Sequence, residues 1–482
     1  MAEGIRKKVL SGFVWKLMET VSAHGVSFIV SIILARLLEP SLYGTIALVT
    51  VFTTILEVFI DSGLGNALVQ KKNADDVDFS SVFYFNMFIC TVLYLGMYFA
   101  APFIADFYGD SELTLVIRVM CLVLIISGLK NVQQAYVAKQ MIFKKFFFAT
   151  FGGTLFSAVV GISMAYMGFG VWALVFQNLS NALIDTIVLW CTVKWRPVRK
   201  FSFKRLKRLI SFGWKILAAS LIENVYTNIR QLIIGKMYSS ADLAYYNRGK
   251  QIPSTVINCI NSSIAYVIFS AMSIKQDSKE QLKNMTRASI RISSFLVWPL
   301  MMGVFYAATP IIELLLTDKW LVSVPYLRIF CITYALIPVN TANLNAIKAM
   351  GRSDINLALE VIKKVIGIIV LVSTMWFGVM AMAYSLLFTN ILSQMINSAP
   401  NKKLLGYGYI EQLKDILPSF LLAAAMGIVI VPLNYLNINL FAKILLQVIC
   451  GGVFYLLGAV VFKMDSLKYI IDTLKKGKKT ND

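Results

Sequence analysis

The amino-acid sequence predicts an all-α integral membrane protein with about 14 transmembrane helices, and three observations carry that prediction. Of its 482 residues, 58% are hydrophobic and only 15% charged, with a mean hydropathy of +0.71, far too apolar for a soluble chain. Apolar runs of spanning length recur from one end to the other, and Lys and Arg concentrate in every second connection. The net charge of +21 would suit a nucleic-acid partner if it formed a basic domain. It is instead dispersed among short loops, which excludes nucleic acid and points to topology and to contact with anionic membrane lipids.

At about 20 apolar residues per crossing, the spans fall roughly at 11–35, 42–65, 80–105, 113–137, 147–167, 170–193, 210–235, 244–272, 287–310, 322–347, 355–377, 379–399, 414–433 and 438–462. The start, MAEGIRKKVL, has the basic flank of a signal peptide, but the apolar stretch behind it is too long and lacks a small-residue cleavage site. It reads as a retained first span. Residues 1–193 form a first six-helix bundle and 210–400 a second, separated by a basic cytoplasmic linker at 194–209. In that linker Phe201, Phe203, Leu206 and Leu209 alternate with charges, a pattern suited to a short helix in the headgroups. Residues 401–482 add two further spans and a basic cytoplasmic tail.

Orientation follows from the basic loops. Arg6 to Lys8, Lys71 and Lys72, Lys139 to Lys145, Lys194 to Arg208, Lys275 to Lys283, Lys348 with Arg352, Lys402 with Lys403 and the C-terminal lysines all fall on one side. The other side holds little beyond Arg36, Lys236 and Lys319, together with Asp106, Asp110 and Glu112. Cytoplasmic loops retain Lys and Arg, so both termini of this multi-pass chain are read as cytoplasmic, in the cell membrane.

Charges inside spans are costly and mark candidate sites. The first span, Ser11 to Pro40, carries Lys16, Glu19 and the only histidine, His24; with Thr20 and Ser27 these make a narrow polar face. Ser11-Gly-Phe-Val-Trp15-Lys16 is echoed by Ser211-Phe-Gly-Trp214-Lys215, which opens a span containing Glu223, Thr227 and Arg230. Two such faces in equivalent helices would line a shared cleft, while snorkelling explains Lys16 and Lys215 equally well. Asp61, Asp185, Arg248, Arg291 and Glu360 with Lys363 are further candidates. Arg248, at the end of Ala244-Tyr-Tyr-Asn-Arg248, is best suited to phosphate or sugar. For Asp185 and Glu360 an internal ion pair is the preferred reading, and Arg291 lies close enough to the inner surface to snorkel. Numerous intramembrane Asn and Gln side chains suit interhelical hydrogen bonds, with a surplus that suits a hydrated cavity.

There is no P-loop, no GxSxG and no cysteine pair at metal-binding spacing; the six cysteines stand singly. A transporter rather than an enzyme is expected, without a cofactor. The outside loops are too short for a glycan polymerase or ligase, which remains a rival reading beside a cation-coupled multidrug or metabolite antiporter.

Ala35-Arg-Leu-Leu-Glu-Pro40 with Tyr43-Gly44, Asp61-Ser-Gly-Leu-Gly65 with Ala67 to Gln70, Tyr245-Tyr-Asn-Arg248, Asp318-Lys-Trp320 and Asn345 to Arg352 together resemble a known family. It is the polysaccharide-transport branch, containing the O-antigen and exopolysaccharide flippases, of the multidrug/oligosaccharidyl-lipid/polysaccharide exporter superfamily, nearest to its colanic-acid and teichuronic-acid exporters. The resemblance implies two six-helix bundles in a V around a central cavity, plus two C-terminal helices. It implies a polyprenyl-pyrophosphate-linked oligosaccharide as substrate, moved to the outer leaflet, with its anionic head in a cationic cavity. It also admits a glycan polymerase and glycosyltransferases as working partners. Glu19, Asp61 and Glu223 make the proposed cavity mixed in charge, which leaves open a coupling cation, Na+ or H+.

Overall fold

The computed structural model describes residues 2–61, 63–274 and 278–468, and these contain no strand. By their contacts they group into two compact units, Met1–Ala244 and Tyr245–Asp482. The first unit holds α1 (Ala2–Leu37), α2 (Pro40–Asp61), α3 (Leu64–Gln70), α4 (Asp76–Tyr108), α5 (Glu112–Met120), α6 (Leu122–Gln140), α7 (Lys144–Tyr166), α8 (Val171–Thr192) and α9 (Phe203–Met237). The next helix, α10 (Ser240–Ile274), begins there and continues into the second unit. The rest of the second unit comprises α11 (Lys279–Tyr306), α12 (Ala308–Leu316), a tight 3-10 turn at Asp318–Ser323, α13 (Val324–Ala335), α14 (Ile337–Ala349), α15 (Ser353–Thr374), α16 (Val379–Leu405), α17 (Tyr409–Ala425), α18 (Gly427–Leu433) and α19 (Leu440–Val461).

Eleven helical segments among the described residues are long and apolar enough to cross a membrane. Three more, α9, α10 and α15, are as long, at 35, 35 and 22 residues, but fall outside that set and carry charges that include Glu223, Arg230, Arg248 and Glu360. Several segments are broken helices. The break between α11 and α12 precedes Pro310, and that between α13 and α14 precedes Pro338. Proline lacks the amide donor and crowds the preceding turn, so the helix restarts with proline in its first turn.

The division by contact falls inside α10 and not at the 194–209 linker, because α9 packs on α2, α3 and α4 of the first unit. Two glycine contacts permit this. A Cβ on Gly44 would stand 1.7 Å from the carbonyl oxygen of Ser240, so only glycine lets the start of α2 meet the turn between α9 and α10. Gly63 and Gly213 lie backbone against backbone, a Cβ on Gly63 falling 2.5 Å from the Gly213 oxygen. Gly44→Ala is therefore expected to cost about 2–3 kcal/mol through overpacking against backbone that cannot rotate away. Gly96→Ala, whose Cβ would meet nothing within 4 Å, should be neutral. Unfolding midpoints of the two purified variants check this.

The linker is docked rather than lying as a separate helix in the headgroups. Residues 194–202 are non-helical, and α9 starts at Phe203. Trp195, Leu206 and Leu209 are buried in a cluster with Phe79, Phe83 and Val132, while Phe201 and Phe203 are exposed. The backbone amides of Val198 and Ser202 donate to the Ser80 and Ser81 hydroxyls, each at 2.9 Å, and the Gln133 amide donates to the Trp195 carbonyl at 3.1 Å. The same end of the unit gathers the connections after α3 and α6. Lys139 donates to the Leu68 carbonyl at 3.0 Å and to that of Lys71, and Lys71 pairs with the buried Asp78 at 2.5 Å. The turn between α4 and α5, with Asp106 and Asp110, belongs to the other end, where Lys236 donates to the Phe107 carbonyl. The connections 71–75, 141–143 and 193–202, basic in themselves or flanked by Lys139, Lys144 and Lys145, thus share one end of this unit.

Asp75 caps α4 in a reciprocal box with Asp78, and Arg205 of α9 binds it at 2.5 Å. The Arg205 hydrogen bond, followed by the Asp78 amide, lowers the Asp75 carboxyl from its ordinary 3.8 to about 2. A carboxylate depressed on folding stabilises above its unfolded value, and the contribution disappears as pH falls through the folded value. Asp75→Asn is therefore expected to lower the unfolding midpoint near neutral pH by a small amount, since the pair is half exposed. The difference should vanish as pH approaches about 2.

In the second unit α11 is the central helix. Its Phe295 carbonyl accepts from Tyr455 of α19 at 3.0 Å, Trp298 meets Phe420 of α17 edge-on at 4.7 Å, and Tyr306 donates to the Ala424 carbonyl at 2.9 Å. The two final spans are thereby tied onto α11. Amide side chains join other helices: Asn343 of α14 bonds Asn401 of α16 at 2.7 Å and Gln412 of α17 at 2.8 Å, all three buried. In the first unit Asn86 donates to Asn131 at 3.2 Å.

Candidate functional site

Each unit contributes charged side chains, and burial separates them. Five charged residues are nearly inaccessible among those described: Asp78, Asp185, Asp415, Arg230 and Arg248. The three carboxylates are paired with cations of the same unit. Asp78 takes Lys71, Asp185 takes Lys130 at 3.0 Å, and Asp415 takes Arg287 and Arg291. The internal pair expected for Asp185 is present, and Glu360 likewise binds Lys363 at 2.7 Å. The two buried cations are the arginines on α9 and α10, each 8% exposed.

In the first unit, Arg230 follows a ladder of polar side chains along α9. Asn224 bonds the Ser220 carbonyl, Thr227 that of Glu223 and Asn228 that of Asn224, while Gln231 donates to the Asn228 side chain at 3.0 Å. Asn224, Thr227 and Asn228 each bond a carbonyl of their own helix one turn back. Glu223 and Lys215 are exposed on the same helix. On α1, Glu19 accepts from Thr150 of α7 at 3.4 Å, and Trp15 stacks near Phe147 at 5.5 Å with the Lys144 ammonium over its ring. His24 is exposed. Lys16 and Asp61 lie outside the residues whose side chains the structure describes.

In the second unit, Arg248 is built in by residues distant in sequence. Its guanidinium lies 5.3 Å from the ring centre of the fully buried Trp320 and donates to Gln251 at 2.6 Å. Tyr245 meets Trp320 edge-on at 6.0 Å, and Tyr246 packs on Tyr326 and Phe330. Gly249 allows the close approach, since a Cβ there would fall 2.8 Å from the Leu327 amide nitrogen. The stretches Tyr245–Arg248 and Asp318–Trp320 therefore form one cluster. An arginine against an aromatic face is a setting suited to planar recognition of phosphate or carboxylate.

Arg291 is placed differently. It donates to Asp415 at 2.8 Å and to Asp465 at 3.1 Å, beside Arg287, which grips Asp415 with two bonds of 2.7 and 3.1 Å. The Tyr407 hydroxyl donates to the same carboxylate at 2.9 Å. Burial first, and the Asp415 charge second, push the Tyr407 phenol above its ordinary value. Arg291 and Arg248 share no partner among the described contacts. Asp415, Tyr407, Lys130 and Gln251 were missed in the sequence; Gln251 alone carried a signal, standing three residues after Arg248 on one helix. No cluster of three or more His, Cys, Asp or Glu that could hold a metal occurs among the described residues.

The class these features define is a helical membrane protein with two buried arginines, and solved structures share its fold. The fold matches "Lipid II flippase MurJ, inward closed conformation" with a TM-score of 0.76 at 15% identity, covering 94% of this chain and 100% of that one. It matches an inward-facing multidrug resistance MATE family transporter of the MOP superfamily with a TM-score of 0.62 at 14% identity, covering 79% and 94%. The family model described as "Polysaccharide biosynthesis protein" matches residues 33–325, and the chain belongs to that family. Teichuronic acid biosynthesis protein TuaB of Bacillus subtilis (strain 168) is 24% identical over 443 residues, 88% of this chain and 89% of the relative. Lipopolysaccharide biosynthesis protein WzxC of Escherichia coli (strain K12) is 22% identical over 445 residues, again 88% and 89%. The chain is a multi-pass membrane protein of the polysaccharide biosynthesis family. The resemblance read from its scattered stretches is the correct one.

Proposed function

We propose that this protein is a flippase for a polyprenyl-pyrophosphate-linked oligosaccharide, moving it from the cytoplasmic to the outer leaflet of the cell membrane. The observation that carries the reading is the burial of Arg230 and Arg248 on long helices of a membrane protein, Arg248 with its guanidinium against the ring of the buried Trp320. A pyrophosphate needs cations, and guanidinium forks suit it. The polar ladder below Arg230 suits a sugar, and the prenyl chain stays in lipid.

The likeness to a lipid II flippase and to proteins named for teichuronic acid and lipopolysaccharide biosynthesis supports this substrate class. Under this reading both termini are cytoplasmic, and transport proceeds by alternating access. Substrate drives that exchange only by binding the two states differently. Lys16, Glu19, His24, Asp61, Lys215 and Glu223 would line the route, and any of its carboxylates is a candidate for a coupling Na+ or H+. Arg291, bound to Asp415 and Asp465, would serve structure and not the substrate.

The test is reconstitution of the purified chain in liposomes with a fluorescent lipid-linked oligosaccharide in both leaflets. Protein-dependent exposure of inner-leaflet label to an impermeant quencher is the expected result. Equal rates with and without protein would overturn the reading, and efflux of cationic drugs that depends on Glu223 would favour an antiporter instead.

A further inference from the structure

We propose that a pocket between α17 and α19 in the second unit binds one anionic phospholipid of the surrounding bilayer, separately from any transported substrate. The pocket encloses about 500 Å³, with cations at one end and an apolar wall descending from them. Its axis is one face of α17: Lys414, Pro418, Leu421, Leu422 and Ala425 succeed one another at helical spacing, so a single stripe passes from an ammonium to hydrocarbon. From Lys414 to Ala425 the stripe descends roughly 16 Å, comparable to an acyl chain. Pro418 and Leu421 face outward, and Phe462, at the end of α19, flanks the groove.

The polar end is held in place. After α19, Lys463 adopts a left-handed conformation (φ 49°) that turns the chain back, and the Met464 amide returns to the Ala459 carbonyl at 3.0 Å. Asp465 is then bound by Arg291 at 3.1 Å, which anchors this turn to α11. The charge there is unbalanced. Asp415 is consumed by Arg287, Arg291 and Tyr407, and Asp465 by Arg291. Neither the Lys414 nor the Lys463 ammonium is in an ion pair or side-chain hydrogen bond with a described residue. Two ammonium groups above an apolar groove complement a phosphodiester attached to acyl chains. A free phosphate would gain nothing from the stripe, and a zwitterionic lipid would bring its own cation to the lysines.

The experiment uses the full-length chain in detergent, titrated with phosphatidylglycerol and read by native mass spectrometry and by unfolding midpoint. One saturable lipid per chain and a raised midpoint are expected with phosphatidylglycerol, but not with phosphatidylcholine of the same chains or with glycerol phosphate. The double variant Lys414→Gln/Lys463→Gln should weaken the lipid at least tenfold. Lys279→Gln/Lys403→Gln removes the same charge from exposed positions outside the pocket and should leave binding unchanged. Both substituted pairs are exposed, so folding is preserved and unfolding in the absence of lipid checks it. Equal retention by the pocket variant, equal loss in the control pair, or equal binding of glycerol phosphate would each overturn the proposal. None of these readouts depends on oligosaccharide transfer, so this site and the flippase reading stand or fall separately.

Discussion

Arg248→Ala is expected to reduce lipid-linked oligosaccharide transfer in proteoliposomes roughly tenfold to a hundredfold, the loss of one or two charge-assisted hydrogen bonds to an anionic head. Arg230→Ala should act similarly, and the double variant should be inactive. Arg248→Lys tests the geometry as distinct from the charge. It keeps a cation but loses the planar fork that lies over Trp320 and reaches Gln251, so only partial rescue is expected. Because Arg248 is buried, each variant is compared by its unfolding midpoint as well as its transfer rate. A variant that folds as the parent and transfers as the parent would remove Arg248 from the proposed site.

Asp415→Ala is expected to be the most damaging change to the second unit's stability, at about 3 kcal/mol. The carboxylate is 2% exposed and accepts from Arg287, Arg291 and Tyr407, so its removal strands two cations and a buried hydroxyl at once. Both arginines keep partial access to solvent, which holds the loss toward the lower end of what a buried pair costs. Asp415→Asn retains the shape and one acceptor and should cost less. The readout is the unfolding midpoint in detergent. A parent-like midpoint for Asp415→Ala would mean that α11 and α17 are held together by packing alone, through Trp298, Phe420 and Tyr306.

These two expectations mark different kinds of arginine, which looked alike in the sequence. Arg248 and Arg291 are each a charge in an apolar run, and burial cost flags both. What separates them is the company each keeps. Trp320 reaches Arg248 because α13 and the turn before it pack on Gly249, and Asp415 reaches Arg291 because α17 packs on α11. Neither approach has a local signature. Asp415 stood at the edge of the span at 414–433, and Lys130 was one cation in an otherwise apolar run, so neither advertised a partner.

The sequence by itself determined the class: apolar runs of bilayer length, the alternation of basic connections and the scattered family stretches all depend on local composition, which solvent and lipid read residue by residue. It also determined which positions would bear charge within the membrane. Only the tertiary structure decided the pairing of those charges, the docking of Trp195 and Leu206 that turned a supposed surface helix into part of the first unit, and the grouping of α9 with α2. Those outcomes depend on close approach between helices remote in the chain, permitted at Gly44, Gly63 and Gly213 by the absence of a single carbon atom. Such contacts are set by shape in three dimensions, which a reading along the chain does not contain.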